Sequence, residues 1–153
     1  MSPYKFVLGL ILALFIVGCS SETKKPKNNP EPISFKQGRW YTEFQFSEGK
    51  TVFGANCAQC HGNAGQGLVE DWKTPNPDGT FPPPPLNGTA HSWHHSTEIL
   101  MQTINDGGAP LGGNMPAFVE VLTEEEKLAV IAFFQNFWDD ETYANWLKIN
   151  NSN

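Results

Sequence analysis

The chain is poor in the features that mark a disulfide scaffold, a nucleic-acid binder or a membrane-spanning protein. It has three cysteines in 153 residues, too few for a disulfide-dense fold. Cations are scarce as well. Ten Lys and Arg face sixteen Asp and Glu, for a net charge of −6, and a surface short of cations cannot displace phosphate counterions, which argues against nucleic acid as a partner. A bilayer-spanning helix needs about 20 apolar residues, whereas the apolar run at residues 6–17 has twelve. Strand-type alternation and internal repeats are missing too, which leaves an all-α class. Gly and Pro, at fourteen and twelve, stay below the roughly 25 to 30% of low-complexity chains. Five Trp and eleven Phe supply apolar surface for one compact domain.

The apolar run follows Lys5 and precedes Gly18, Cys19 and Ser20, the layout of an export signal over residues 1–18. Ile16-Val17-Gly18-Cys19 resembles a bacterial lipobox. The resemblance implies that Cys19 is lipidated and becomes the mature N-terminus. The chain would then be exported and lipid-anchored to a bacterial membrane, facing the periplasm or the outer surface, since two or more acyl chains anchor stably where one does not. Residues 19–40 are polar and Pro-rich, with Lys24, Lys25, Lys27, Lys36 and Arg39 against Glu22 and Glu31, and read as a basic linker suited to anionic headgroups. From residue 41 to 153 four Lys oppose fourteen acidic residues. Solubility is the plain account of that acidic body; steering toward a partner with a basic face is the functional one.

The body reads as short helices joined by long loops. Thr42 with Gln45 is a capping box, after which Phe46, Gly49, Phe53 and Cys57 share one helical face. Residues 62–88, rich in Gly, Pro and Asn and containing the run Pro82 to Pro85, leave no room for a regular element. Ser96 is placed to cap a helix running to about Asn105, stopped by Gly107 and Gly108. Thr123 with Glu126 opens another through about Phe137, with Leu128, Ile131, Ala132 and Phe133 or Phe134 facing inward. A last short helix contains Tyr143, Trp146 and Leu147.

The chemistry sits at Cys57-Ala58-Gln59-Cys60-His61. Two thiols separated by two residues and followed directly by His form the attachment pattern for c-type haem. On a helix end the thiols can reach the two vinyl groups of one porphyrin edge while the imidazole comes up beneath the iron. One motif means one haem. A thioredoxin-like redox pair would need a βαβ setting that is missing here, and a zinc site would need further ligands, which His94 and His95 could formally supply. For the sixth iron ligand the mature chain offers Met101 and Met115. Met115 is the candidate, lying in Leu111-Gly112-Gly113-Asn114-Met115-Pro116-Ala117-Phe118, where glycines permit close approach and Pro116 stiffens the loop. Met101 suits helix packing. His91, His94 and His95 are rivals, each better suited to a local hydrogen bond as a loop or helix-start histidine than to iron ligation or a redox-linked proton site.

Residues 57–62, residues 112–118 and the helix after Thr123 together resemble class I cytochrome c, over roughly residues 49–138. The resemblance implies a cytochrome c fold of three to five short helices around one covalently bound haem, with Cys57 and Cys60 as attachment points and His61 and Met115 on the iron. It implies that Gly49 and Phe53 cross Phe133 where the first and last helices of the family meet. In Pro84-Pro85-Leu86-Asn87-Gly88 it implies that the Pro84 carbonyl accepts from the His61 imidazole and that Leu86 packs on the porphyrin. The four-proline run, the insert at 72–81, the Trp93-His94-His95 triplet and the tail after Trp138 depart from the family pattern.

A saturated His/Met iron favours the ferrous state and leaves no open site, so the expected function is one-electron transfer without a catalytic site of its own. The donor would be a quinol-oxidising complex or dehydrogenase and the acceptor a terminal oxidase or reductase, reached by a monomeric, membrane-tethered carrier. The alternatives are a fixed haem subunit of a larger oxidoreductase complex, and a haem enzyme or sensor that opens its iron to peroxide or a small ligand.

Overall fold

The structure, a computed structural model, describes residues 33–152; the expected signal segment, Cys19 and the first part of the linker lie outside them. Within these residues five helices order as α1 (Glu43–Asn56), α2 (Ala58–His61), α3 (Thr97–Asp106), α4 (Glu124–Gln135) and α5 (Asp140–Asn150), with short 3-10 turns at Ser92–His94 and Ala109–Leu111. Among the described residues the β-type pairing amounts to one isolated bridge between Phe81 and Gly113, and no helix is long and apolar enough to cross a membrane.

Local sequence sets the helix starts. Thr42 and Gln45 form the expected capping box on α1, Thr123 and Glu126 the one on α4, and the Asp139 carboxylate accepts from the Thr142 amide at the start of α5. Ser96 occupies the N-cap of α3, but its side chain makes no capping bond. The core is built where α1 crosses α4. A Cβ at Gly49 would overlap the Ala129 carbonyl and touch Phe133 Cβ at 3.0 Å, so glycine alone allows this approach. The rings of Phe46 and Phe53 then pack on Phe133 at 5.6 and 5.1 Å.

Two expectations are corrected. The first concerns α4, which was expected to bury one stripe; it is buried on nearly every side from Ala129 to Gln135, while Leu128 is only half-buried. Even Lys127 is buried, its ammonium 2.8 Å from Glu124 Oε1. α4 also ends at Gln135, and tight turns carry Phe137 and Trp138 onward. The second concerns the linker, whose described end is part of the domain. The Lys36 amide donates to Asn136 Oδ1 at 2.8 Å, Lys36 Nζ and Arg39 Nη2 both donate to the Trp138 carbonyl at 2.7 and 3.1 Å, and Trp40 Nε1 reaches Gln135 Oε1 at 2.6 Å. Lys36 and Arg39 are therefore spent on a single carbonyl, that of Trp138, just beyond the C-terminal end of α4, where the helix dipole favours cations. Arg39 also lies 3.8 Å over the Tyr143 ring, so α5 and the 34–40 segment clasp one another.

Candidate functional site

The Phe53 carbonyl receives the Cys57 amide at 2.9 Å as α1 ends, and the chain turns at once into α2, with the amides of Cys60 and His61 both donating to the Cys57 carbonyl at 3.1 and 2.9 Å. Cys57, Cys60 and His61 thus occupy positions i, i+3 and i+4 of one turn, which share a face. Cys60 is exposed, Cys57 half-buried, and both are free thiols. His61 is 7% exposed.

The two ring nitrogens of His61 have different environments. Nδ1 lies 2.9 Å from the Pro84 carbonyl oxygen, the contact that the family resemblance implied. A carbonyl only accepts, so Nδ1 carries the proton and the Nε2 lone pair is left available to a metal. Burial lowers the imidazole pKa, partly opposed by the Pro84 hydrogen bond, and keeps the ring neutral. Burial, and then the neighbouring Cys60, push the Cys57 thiol up to about 11. A thiol so protonated at neutral pH is unlike the thiolate of a dithiol oxidoreductase. The zinc alternative also fails: among the described residues no three His, Cys, Asp or Glu side chains gather to hold a metal ion.

Loops fasten the proline segment to this turn. The Gly67 amide donates to the His61 carbonyl at 2.8 Å, and the Gly65 carbonyl accepts from the amides of Leu86 and Asn87 at 2.6 and 3.1 Å. Leu86 is half-buried, and its own carbonyl accepts from Trp138 Nε1 at 2.8 Å. The structure thus brings Cys57, Cys60, His61, Pro84 and Leu86 into one region.

Met115 lies half-buried on the loop after α3. The Gly108 amide donates to the Met115 carbonyl at 2.9 Å, and the Gly113 amide to the Gly108 carbonyl at 2.9 Å. At Gly107, where φ is +77°, a Cβ would stand 2.6 Å from the Met115 carbonyl oxygen, which explains why glycine is needed where α3 stops. Met101 is a half-buried helical residue of α3. The histidines have neighbours of their own: His91 stacks on Trp72 with ring centres 5.2 Å apart, His95 meets His91 edge-on at 5.4 Å, and His94 lies against Trp93. Trp72, within the insert, gave no sign of this role because its partner lies nineteen residues away.

The family described as cytochrome c oxidase, cbb3-type, subunit III matches residues 44–134, more than half of the chain. The chain belongs to this family. A curated relative, the Cbb3-type cytochrome c oxidase subunit FixP of Sinorhizobium medicae (strain WSM419), is 33% identical over 100 residues, covering 60% of this chain and 29% of the relative. The chain therefore spans less than a third of that relative's length. No solved structure matches. The protein is a c-type cytochrome, its helical architecture is the cytochrome c fold, and the family implies a covalently bound haem c.

The residues present suit such a group. A neutral, buried imidazole offers its lone pair, two free thiols share its face, and the 62–88 segment and the methionine loop expose apolar side chains able to cover a flat ring: Leu68 at 62%, Phe81 at 42% and Leu111 at 68% exposure.

Proposed function

We propose that this cytochrome transfers single electrons through one haem, bound covalently by Cys57 and Cys60 and ligated by His61 and Met115, with a terminal oxidase as acceptor. When bound, the haem supplies the one-electron couple. The chain's residues hold that couple still. Pro84 fixes the tautomer and orientation of His61, the Gly107 to Pro116 loop carries the thioether, and Leu86 and Phe81 keep water from the ring. Met115, as a weak and soft ligand, would favour the reduced state, and together with His61 it would leave the iron no position open to substrate.

The observation that carries this reading is the commitment of buried His61 Nδ1 to the Pro84 carbonyl at 2.9 Å, at the end of the turn that presents both thiols. The family assignment and the FixP similarity support an oxidase as the acceptor, whether this chain docks transiently or is held as a subunit. The lipobox-like segment and Cys19 support a lipid anchor on the outer side of a bacterial membrane, with residues beyond the 34–40 clasp as tether.

The test is a visible spectrum of protein matured in a host with cytochrome c assembly machinery. A sharp reduced α band, a long-wavelength sulfur-to-iron band abolished by Met115→Ala, and indifference to carbon monoxide are expected. Ready carbon monoxide binding by the wild type would move the reading to a ligand-reactive haem protein. Co-purification with oxidase subunits through high salt would mark a fixed subunit; release by salt would mark a carrier drawn by its acidic face.

A further inference from the structure

The end of the insert at 72–81, just before the proline run, meets the methionine loop. The Phe81 amide donates to the Gly112 carbonyl at 2.9 Å, and Phe81 bridges to Gly113. Asn114 Nδ2 donates to Thr80 Oγ1 at 3.0 Å, one residue before Met115. Thr80 is prepared for that contact. Its hydroxyl donates to Asp78 Oδ1 at 2.7 Å, and its amide donates to the same oxygen at 2.9 Å. With the hydroxyl proton committed to a carboxylate, both lone pairs face outward, and they receive Asn114 and, at 3.3 Å, Asn76 Nδ2. The turn is closed by Asn76 N to Thr80 O at 2.8 Å and Gly79 N to Asn76 O at 2.9 Å.

The segment after this turn is stiff. Residues 81 to 84 each precede a proline, and 82 to 85 are prolines, so the backbone is confined to extended conformations. At about 3.1 Å per residue in that form, three residues set roughly 9 Å between Phe81, which grips the methionine loop, and Pro84, whose carbonyl holds His61 Nδ1 at 2.9 Å. A rod with one end on each ligand-bearing segment resists their separation.

We propose that residues 76–84 are a strap that keeps the Met115 thioether on the iron, with Thr80 as its positioning residue. The inference rests on the assignment of Met115 as the sixth ligand. Opening the strap raises the fraction of molecules with Met115 displaced, and an external ligand competing for that position then binds with a higher apparent affinity in proportion. Loss of one hydrogen bond corresponds to about a fivefold change.

The experiment is imidazole titration of the oxidised holoprotein, followed at the sulfur-to-iron band, with thermal melts confirming the fold of each variant. Thr80→Val, which keeps the branched shape and removes the hydroxyl, is expected to tighten apparent imidazole binding about fivefold, and Thr80→Ser to restore wild-type affinity. Thr97→Val removes a threonine hydroxyl that donates to Asn150 Oδ1 at 2.9 Å, away from the loop, and is expected to leave imidazole affinity unchanged. If Met115→Ala abolishes the band while Thr80→Val binds imidazole as the wild type does, or no more tightly than Thr97→Val, the strap is overturned and the ligand assignment stands. If Met115→Ala leaves both band and imidazole affinity unchanged, the ligand assignment itself is lost, and the strap with it.

Discussion

Trp138 Nε1 donates to the Leu86 carbonyl at 2.8 Å, tying the segment between α4 and α5 to the loop that carries Pro84. The indole is fully buried, and a Cβ at Gly88 would touch its ring at 3.2 Å. Trp138→Phe leaves the Leu86 carbonyl without its partner and a gap where the larger ring stood. A stability loss of about 2 kcal/mol or more is expected from the stranded acceptor and the lost volume. Guanidinium unfolding of the holoprotein measures it. Since the same loop presents the carbonyl that orients His61, the reduction potential is expected to shift as well, which a purely peripheral packing defect would not produce.

Gly49→Ala tests the helix crossing. The added methyl overlaps the Ala129 carbonyl, which belongs to the rigid backbone of α4, so the helices must part and loosen the contacts of Phe46 and Phe53 with Phe133. Overpacking of this kind costs about 1 to 3 kcal/mol, whereas alanine would otherwise favour a helix by roughly 1 kcal/mol. The net expectation is a lower denaturant midpoint. Gly54→Ala, on the same helix with nothing within 4 Å, is expected to raise it.

The parts of the molecule readable in the sequence are those fixed by neighbours in the chain. The capping boxes at Thr42 and Thr123 need residues three positions apart, and the Cys57 to His61 cluster needs one helical turn. The Pro84 contact was reachable only through the family pattern. Lys36 and Arg39 read as linker cations because their acceptor, the Trp138 carbonyl, lies 102 and 99 residues further on, and nothing local distinguishes a solvated lysine from one aimed at a distant carbonyl. Leu128 read as an inward residue because periodicity describes one face, whereas α4 is covered on several. Asn114 and Thr80 carried no signal: a threonine following Asp-Gly suggests only a turn, and its second partner is 34 residues away.

The clasp around Trp138 yields an unequal pair of mutants. The Arg39 side chain is 3% exposed and its ion-pair partner Asp140 is 97% exposed. Arg39→Ala removes a buried charge-assisted bond to the Trp138 carbonyl together with the stack on Tyr143, and is expected to cost about 2 to 3 kcal/mol. Arg39→Lys is expected to recover only part, since an ammonium cannot lie flat on the ring while reaching the carbonyl. Asp140→Asn is expected to leave the thermal midpoint unchanged, because an exposed partner contributes little.

The histidine cluster gives the pH dependence a sign. Burial first, and then the charges of His94 and Lys73, lower the His91 pKa; burial, followed by His91 and His94, lowers that of His95. In the unfolded chain both revert toward 6.5, so below that pH the unfolded state binds more protons than the folded one and acidification favours unfolding. Their contribution to stability is thus complete above about pH 6.5 and is lost as pH falls through the lower folded values. The thermal midpoint of the holoprotein is expected to fall between pH 7.5 and 5.5 by more in the wild type than in the doubly substituted His91→Gln, His95→Gln protein, since glutamine takes up no proton. Equal slopes in the two proteins would mean that protonation of this cluster is not what acid acts on between pH 7.5 and 5.5, a window that lies above the titration of the carboxylates at Asp71, Asp78 and Asp139. Those groups have pKa values lowered by hydrogen bonds to Thr74, Thr80 and Thr142, and they lose their contribution only at more acid pH.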